Sequence, residues 1–228
     1  MALLVRAITL RPDRLDAGLE DTLRVDSGDL TAWANEMDKS APLGRDELLS
    51  HHRDVSAIFT RVESCLPARF PSWADSPQAL EALLHSRRDD FMQHLQNLRH
   101  CCEIAITAVW LTPHGTSEAG ENGPVTGRHY LLSRQRALQA TDRRRERAKA
   151  IAGELRSLAR EVADVVDVRQ RLCPSPIVAF SLAFLVRREH AHNLAAALTR
   201  GAEDVRILVN GPWAPYSFTG PGPDFGDG

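Results

Sequence analysis

The sequence predicts an α+β protein with two small domains, each a sheet covered by helices. Two kinds of pattern support this class: short apolar runs that alternate with polar or small residues, and longer apolar stripes at helical spacing. Residues 3–10 (LLVRAITL) end before Pro12 and predict a first strand, and residues 30–37 predict a second. Residues 103–111 (EIAITAVWL) alternate and predict a third strand, with Ile104, Ile106, Ala108 and Trp110 on one face.

The remaining N-terminal residues predict helices and one short edge strand. Apolar residues recur at helical spacing over residues 45–64, and the proline-bounded CLPARFP at 65–71 predicts an edge strand. Ser76 followed by Pro77 predicts the N-cap and first turn of a helix that continues to about residue 99. We expect Cys102 to be the last buried position of that helix.

The second half predicts a long helix followed by strand, helix and strand. Residues 127–172 have helical composition that only Gly153 interrupts. Residues 177–186 predict a strand, residues 189–199 a short helix and residues 203–209 a final strand. A 3-4-3-4-3 spacing within the long helix favours a stripe facing the core over an oligomerising coiled coil. The stripe consists of Ala148, Ile151, Leu155, Leu158, Val162 and Val165.

A polar stretch suggests where the domains separate. Residues 112–126 (TPHGTSEAGENGPVT) are rich in turn-forming residues and contain almost no apolar side chain. Such composition is typical of a linker or a long surface loop. We therefore predict an N-terminal domain over residues 1–111 and a C-terminal domain over residues 127–228. The C-terminal domain includes an extended aromatic tail, defined here as residues 210–218 (NGPWAPYSF).

Composition excludes several classes of protein. The 228 residues carry a net charge of −2, without the basic excess typical of a dedicated nucleic-acid binder. The longest apolar run, residues 176–186, is about half of the ~20 residues that cross a bilayer. Arg6 interrupts the N-terminal apolar run too early for a signal peptide, and the four cysteines lack a Cys-x-x-Cys spacing. We expect a cytoplasmic protein with reduced thiols and no membrane contact.

The sequence gives little support for a metal site or a catalytic site. His100-Cys101-Cys102-Glu103 and His51-His52 place possible ligands side by side. Adjacent side chains point in different directions, whereas zinc ligands are commonly separated by two to four residues. The sequence also contains no glycine-rich phosphate loop, no Gly-x-Ser-x-Gly elbow and no His-Glu-x-x-His motif. We therefore expect neither a cofactor nor a metal, and no enzymatic activity.

Basic residues concentrate in the long helix. Residues 134–149 contain seven basic residues against Asp142 and Glu146, a local net charge of +5. Arginine pairs well with anions, so this face could dock an acidic partner, although a solvated helix face is the simpler alternative. No aromatic residue interleaves with the arginines, which disfavours single-stranded nucleic acid. The candidate docking residues are Arg143, Arg144 and Arg147.

Three stretches together resemble the gas vesicle protein F/L family. CLPARF at 65–70 is similar to that family's Leu-Pro-x-Arg-Phe segment, which follows a histidine-bearing helix. GRHYLL at 127–132 resembles its Gly-Arg-x-Tyr-Leu, and the aromatic tail resembles its Gly-Pro-Trp-Pro-Pro-Tyr-Ser-Phe ending. Pro71 replaces a usual glycine and Ala214 a usual proline. The matching residues are Leu66, Pro67, Arg69, Phe70, Gly127, Arg128, Tyr130, Gly211, Pro212, Trp213, Pro215, Tyr216 and Phe218.

The resemblance implies a ferredoxin-like N-terminal domain, an α+β C-terminal domain and a non-enzymatic role in building gas vesicles. It implies that the protein binds the small apolar major shell protein during nucleation, prevents its aggregation and works with other accessory proteins. The alternatives are a minor structural component of the finished wall, a nucleic-acid-associated regulator using the arginine-rich helix, and a metal-dependent enzyme using histidine and cysteine. An F-type or L-type role, and self-association, are left open.

The aromatic tail has two interpretations. Its prolines and aromatics suit an extended segment that is pinned onto the protein's own surface, because aromatic side chains bury a large area at low entropic cost. The same aromatics suit a contact surface for the shell protein. The sequence favours the intramolecular clamp. For the Leu-Pro-x-Arg-Phe segment, the corresponding structural interpretation is a salt bridge made by Arg69 and a core position for Phe70.

Overall fold

The polypeptide divides into two units, which are described separately. A computed structural model describes residues 2–12, 19, 22–111, 127–172, 175, 177–199 and 204–219. The first unit consists of Met1–Glu103 with Pro212–Gly228, and the second of Ile104–Gly211. This division differs from the predicted boundary after residue 111, and it groups the end of the chain with the first unit. The predicted linker, residues 112–126, lies outside the described residues.

The first unit is built on a sheet whose centre is β1. This strand is buried along nearly its whole length and pairs antiparallel with β3, β4 and β5. The order is β2-β3-β1-β4, and β5 also pairs with β1. Consecutive apolar residues suit a strand that is covered on both faces. The strands are β1 (Ala2–Leu10), β2 (Leu23–Ser27), β3 (Leu30–Met37), β4 (Cys65–Pro67) and β5 (Trp73–Ala74).

Three helices accompany this sheet: α1 (Arg45–Phe59), α2 (Pro77–Ser86) and α3 (Arg88–Asn97). The predicted cap is confirmed, because the Ser76 hydroxyl accepts a hydrogen bond from the amide of Ala79 and Pro77 begins α2. The helix predicted to continue to residue 99 is instead two helices. Arg87, with φ −115° and ψ 24°, leaves the helical conformation between them.

The second unit contains a four-stranded sheet in the order β7-β8-β6-β9. Alternating or continuously apolar sequences form its two inner strands, β6 and β8. The helices α4 and α5 pack against each other, and α4 also contacts β7 and β8. The elements are β6 (Cys101–Trp110), α4 (Gly127–Val162), β7 (Val165–Leu172), β8 (Val178–Arg187), α5 (Ala191–Leu198) and β9 (Val205–Trp213).

Three sequence predictions in this region are wrong in detail. The long helix ends at Val162, and residues 165–172 form β7, antiparallel to β8. The β-branched valines of VVDVRQRL favour a strand over the predicted helix. Cys102 lies in β6 and not at a helix end. The last strand continues to Trp213, and Gly211 there adopts φ 116°, which a residue with a side chain would rarely tolerate.

The predicted stripe of α4 faces the core of its own unit. Ala148, Ile151 and Leu155 are buried, as are the nearby Ala152 and Ala159. Leu158 and Val162 are half-buried, and Val165, which the stripe also included, lies in β7 and not in the helix. Since α4 packs against α5 and β8 and these positions are buried, the core-facing interpretation is confirmed over the coiled coil for Ala148, Ile151 and Leu155. The α+β class with two antiparallel sheets is confirmed as well, whereas the ferredoxin-like description stays a prediction. No helix in the described ranges is long and apolar enough to cross a membrane.

Candidate functional site

The candidate site lies in the first unit, where the aromatic tail meets α1. His52 of α1 contacts two tail side chains: its ring lies 5.9 Å from that of Trp213, edge to face, and 6.2 Å from that of Tyr216. The tail does not stay extended, because Tyr216–Phe218 form a 3-10 turn and Phe218 is buried. The turn is closed by the amide of Phe218, which donates to the carbonyl of Pro215.

Glu103 anchors the tail. Its carboxylate accepts one hydrogen bond from the Ser217 amide and one from the Ser217 hydroxyl, both at 2.8 Å. The side chain of Trp213 also donates to it. Glu103 is only 4% exposed, and this burial raises the pKa of its carboxyl, while the three donors oppose the shift. The buried carboxylate of Glu103 is therefore held by three hydrogen-bond donors that all belong to the aromatic tail.

Arg6 is a second buried ionisable group of the first unit. The Nε atom of Arg6 donates to Asn35 Oδ1 at 2.6 Å and lies 3.1 Å from Asp54 Oδ2. Burial lowers the pKa of Arg6, and the nearby carboxylate of Asp54 opposes this shift. Burial also raises the pKa of Tyr216 above its ordinary value, and the charge of Arg6 acts against that shift. Arg6 thus connects β1, β3 and α1 electrostatically with the aromatic tail.

His51 joins α1 to the Leu-Pro-x-Arg-Phe segment. Its Nε2 atom lies 3.1 Å from the carbonyl oxygen of Ala68, and its ring centroid lies 5.4 Å from that of Phe70. The amide of Ala68 in turn donates to the carbonyl of Arg6 at 2.8 Å. A backbone carbonyl only accepts, so His51 donates through Nε2. Burial, with the charge of Arg6, lowers the pKa of His51 to about 4.

The structure gathers two of the three predicted stretches in the first unit. Leu66 and Pro67 are buried in β4 opposite Ile8 and Ala7, Arg69 is exposed, and Phe70 is half-buried. In the aromatic tail, Gly211 and Pro212 are exposed, Trp213 and Tyr216 are half-buried, and Pro215 and Phe218 are buried. Gly127, Arg128 and Tyr130 begin α4, and their side chains lie outside the described part of the chain.

The predicted basic docking face is partly engaged within the second unit. The guanidinium carbon of Arg144 lies 5.0 Å from the centroid of the Trp110 ring. The Nε atom of Arg147 lies 2.7 Å from Asp204 Oδ2. Arg143 is exposed, as is Arg145, which was not among the predicted residues. An acidic partner would therefore meet Arg143 and Arg145 more readily than Arg144 and Arg147.

Four important residues were not identified as site residues from the sequence: Arg6, Asn35, Asp54 and Glu103. Two of them carry a signal that could have been used. Arg6 interrupts an apolar strand and Glu103 lies near the start of another, and a charged residue within a buried strand requires a partner. The partners could not be predicted, because Asp54 is distant in sequence from Arg6 and Ser217 from Glu103. Within the described ranges, no group of three His, Cys, Asp or Glu residues could hold a metal ion.

The fold and the site together define a class of protein: a two-unit α+β protein whose buried polar side chains hold its own C-terminal aromatic segment. Residues 10–220 match the sequence profile of the family described as "Gas vesicle synthesis protein GvpL/GvpF". The chain belongs to this family. It is 28% identical over 207 residues to gas vesicle protein L of Streptomyces sp. (strain CB03234), a match that covers 86% of this chain and 75% of that protein.

Solved structures show the same fold. The crystal structure of the gas vesicle protein GvpF from Anabaena sp. PCC7120 superposes with a TM-score of 0.70 at 16% identity, covering 96% of this chain and 98% of that one. The GvpF structure from Microcystis aeruginosa gives a TM-score of 0.68 at the same identity and coverage. At this level of identity the likeness supports the architecture of the chain and nothing more specific.

Proposed function

We propose that this chain is a non-enzymatic accessory protein of gas vesicle assembly that binds the small apolar major shell protein and keeps it from aggregating during nucleation. The observation that carries the proposal is the family match over residues 10–220. The proposal includes a cytoplasmic location at gas vesicles and contacts with other accessory proteins. A shell subunit with a gas-facing apolar surface exposes more apolar area than a soluble monomer tolerates, so a soluble partner must cover that surface before assembly.

The surface of α1 beside the tail is our candidate contact for the shell protein. Leu48 and Leu49 are 49% and 48% exposed, unusually so for leucines. They precede His52 by four and three residues, so all three lie on neighbouring positions of the helix surface. His52 itself contacts Trp213 and Tyr216. Two exposed leucines next to half-buried aromatics provide an apolar surface of the kind that an apolar partner requires.

Co-expression with the major shell protein of the same cell tests the proposal. We expect soluble shell protein to co-purify with the wild-type chain, and to be lost with the double variant Leu48→Asp, Leu49→Asp. The matched control is Val166→Asp, which places an acid on an exposed valine of the second unit and is expected to retain binding. Shell protein that aggregates in the presence of the wild-type chain would contradict the chaperone role. Retention of this chain in purified vesicles would favour the alternative of a minor wall component.

The basic face of α4 is proposed as a dock for an acidic accessory protein. Because Arg144 and Arg147 have contacts within the second unit, the informative change is Arg143→Glu with Arg145→Glu. We expect this double variant to lose the partner in a pull-down at low salt, where surface charges are least screened, and to unfold as the wild type does. Arg156→Glu is the control on the same helix. Unchanged capture by the double variant would exclude this face.

A further inference from the structure

The two edge strands of the second sheet differ in how they are protected. An exposed strand edge presents unpaired amides and carbonyls and invites another strand, so edges commonly carry charges or bulges. The edge strand β7 has both: its register shifts between Val165 and Asp167, and charged side chains recur at Asp167, Arg169 and Arg171. This edge is built to discourage pairing.

The opposite edge, β9, lacks this protection over residues 205–210 (VRILVN). Arg206 is its single charged residue. Leu208 is 40% exposed, and Arg206 and Asn210 on the same face are exposed as well. Ile207 and Val209, on the other face, are half-buried. A β-branched, apolar and nearly uncharged edge is the kind that pairs with another strand.

The backbone direction of β9 shows which of its amides and carbonyls can pair with another strand. The amide of Leu111 donates to the carbonyl of Asp204, so Asp204 directs its carbonyl towards β6. Backbone groups of a strand alternate in direction from one residue to the next. Val205, Ile207 and Val209 therefore direct their amides and carbonyls away from β6, and no strand of the described ranges pairs with β9 on that side.

We propose that β9 pairs antiparallel with β9 of a second copy of this chain, with the symmetry axis at Leu208. In this register Ile207 lies opposite the second copy's Val209, so the outward backbone groups face one another. Leu208 lies opposite its own equivalent, and Arg206 lies opposite Asn210. The self-pairing therefore joins aliphatic side chains at its centre and places no like charges opposite each other, as stable cross-strand pairs require. The result is one continuous sheet through both copies.

Sedimentation equilibrium of the full chain over a wide concentration range tests the pairing. We expect a concentration-dependent dimer for the wild type and a monomer for Leu208→Lys, because two ammonium groups would face each other across the axis. Val166→Lys, which alters an exposed valine of β7, is expected to dimerise as the wild type does. A wild type that is monomeric at every concentration would overturn the proposal, and so would a dimer that Leu208→Lys leaves intact.

Asn210 tests the register without altering an apolar side chain. Asn210→Glu is expected to tighten the dimer, because its carboxylate would face Arg206 of the second copy. Asn210→Lys is expected to weaken the dimer by like-charge repulsion at the same place. Both side chains are exposed in the single chain, and circular dichroism checks that each variant keeps its secondary structure. Equal dimerisation constants for the two variants would contradict a register centred on Leu208.

Discussion

Replacing Glu103 with alanine is expected to release the aromatic tail and to lower the free energy of unfolding by about 3 kcal/mol. Glu103 is buried and accepts both hydrogen bonds of Ser217, with a third from Trp213. Hydrogen bonds to a charged group contribute about 1.5–3 kcal/mol each, and three donors of one short segment lose them together. The loss is smaller than their sum, because the released donors regain water.

Urea unfolding of Glu103→Ala and Trp213→Ala measures the effect. Trp213 is half-buried, so its truncation is expected to cost less than the ~3–5 kcal/mol of a fully buried aromatic. Trp213→Phe is the comparison variant, because it keeps a smaller aromatic ring beside His52 and removes the indole N–H. If Trp213→Ala left the stability unchanged and abolished shell-protein binding, the tail would be a contact surface and not a clamp.

A double-mutant cycle separates the anchor from general packing. The effects of Glu103→Ala and Ser217→Ala are expected to be non-additive, since Ser217→Ala removes the hydroxyl that donates to the carboxylate while the Ser217 amide still donates to it. Glu103→Ala with Leu84→Ala, a buried leucine of α2, serves as the comparison and is expected to be additive. An additive result for the Glu103 and Ser217 pair would show that the carboxylate gains nothing from the Ser217 hydroxyl.

Much of the fold could be predicted from local patterns. The strands at residues 2–10 and 30–37 and the cap at Ser76 follow from short apolar runs and from the chemistry of a helix start. The prediction was wrong where the composition of a segment suits both a helix and a strand. Residues 165–172 have charges that suit a solvated helix, and it is their pairing with β8 that makes them a strand. The three valines of this segment give a local preference for a strand, but local propensity does not specify the pairing partner.

The site was predictable as sequence stretches but not as a set of contacts. The aromatic tail and the Leu-Pro-x-Arg-Phe segment stand out by composition, yet neither contains Arg6 or Glu103. These two residues join segments that are far apart: Arg6 bonds Asn35 and approaches Asp54, and Glu103 bonds Ser217. A lone charge in a strand indicates that a partner exists. The identity of that partner follows only from the fold, because the pairing depends on which helices, strands and turns become neighbours.

The stability of the protein is expected to fall as the pH drops from about 6.5 to about 4, because of His51. Burial and the charge of Arg6 lower the pKa of this histidine to about 4, against 6.5 for an ordinary histidine. Between these values the unfolded chain binds a proton that the folded chain does not, so stability rises with pH across this window. The full effect is roughly 3 kcal/mol for this one group, at about 1.4 kcal/mol for each tenfold change in proton affinity.

Urea unfolding at a series of pH values, for the wild type and for His51→Gln, isolates this contribution. Glutamine keeps an N–H that can donate to the carbonyl of Ala68, but it cannot titrate. Subtracting the two stability curves therefore cancels the pH-dependent contributions of the other ionisable groups. Glu103 is the main group that this subtraction must cancel, because its raised pKa makes the folded state bind protons more readily and opposes the trend. His85→Gln, at an exposed position of α2, is the control and is expected to follow the wild type.

If His51→Gln lost stability towards pH 4 as steeply as the wild type, His51 would not be the buried neutral base that links α1 to the Leu-Pro-x-Arg-Phe segment. If its curve were flatter by about the expected amount, the hydrogen bond to Ala68 would be held by an uncharged imidazole, with Arg6 as the buried cation beside it.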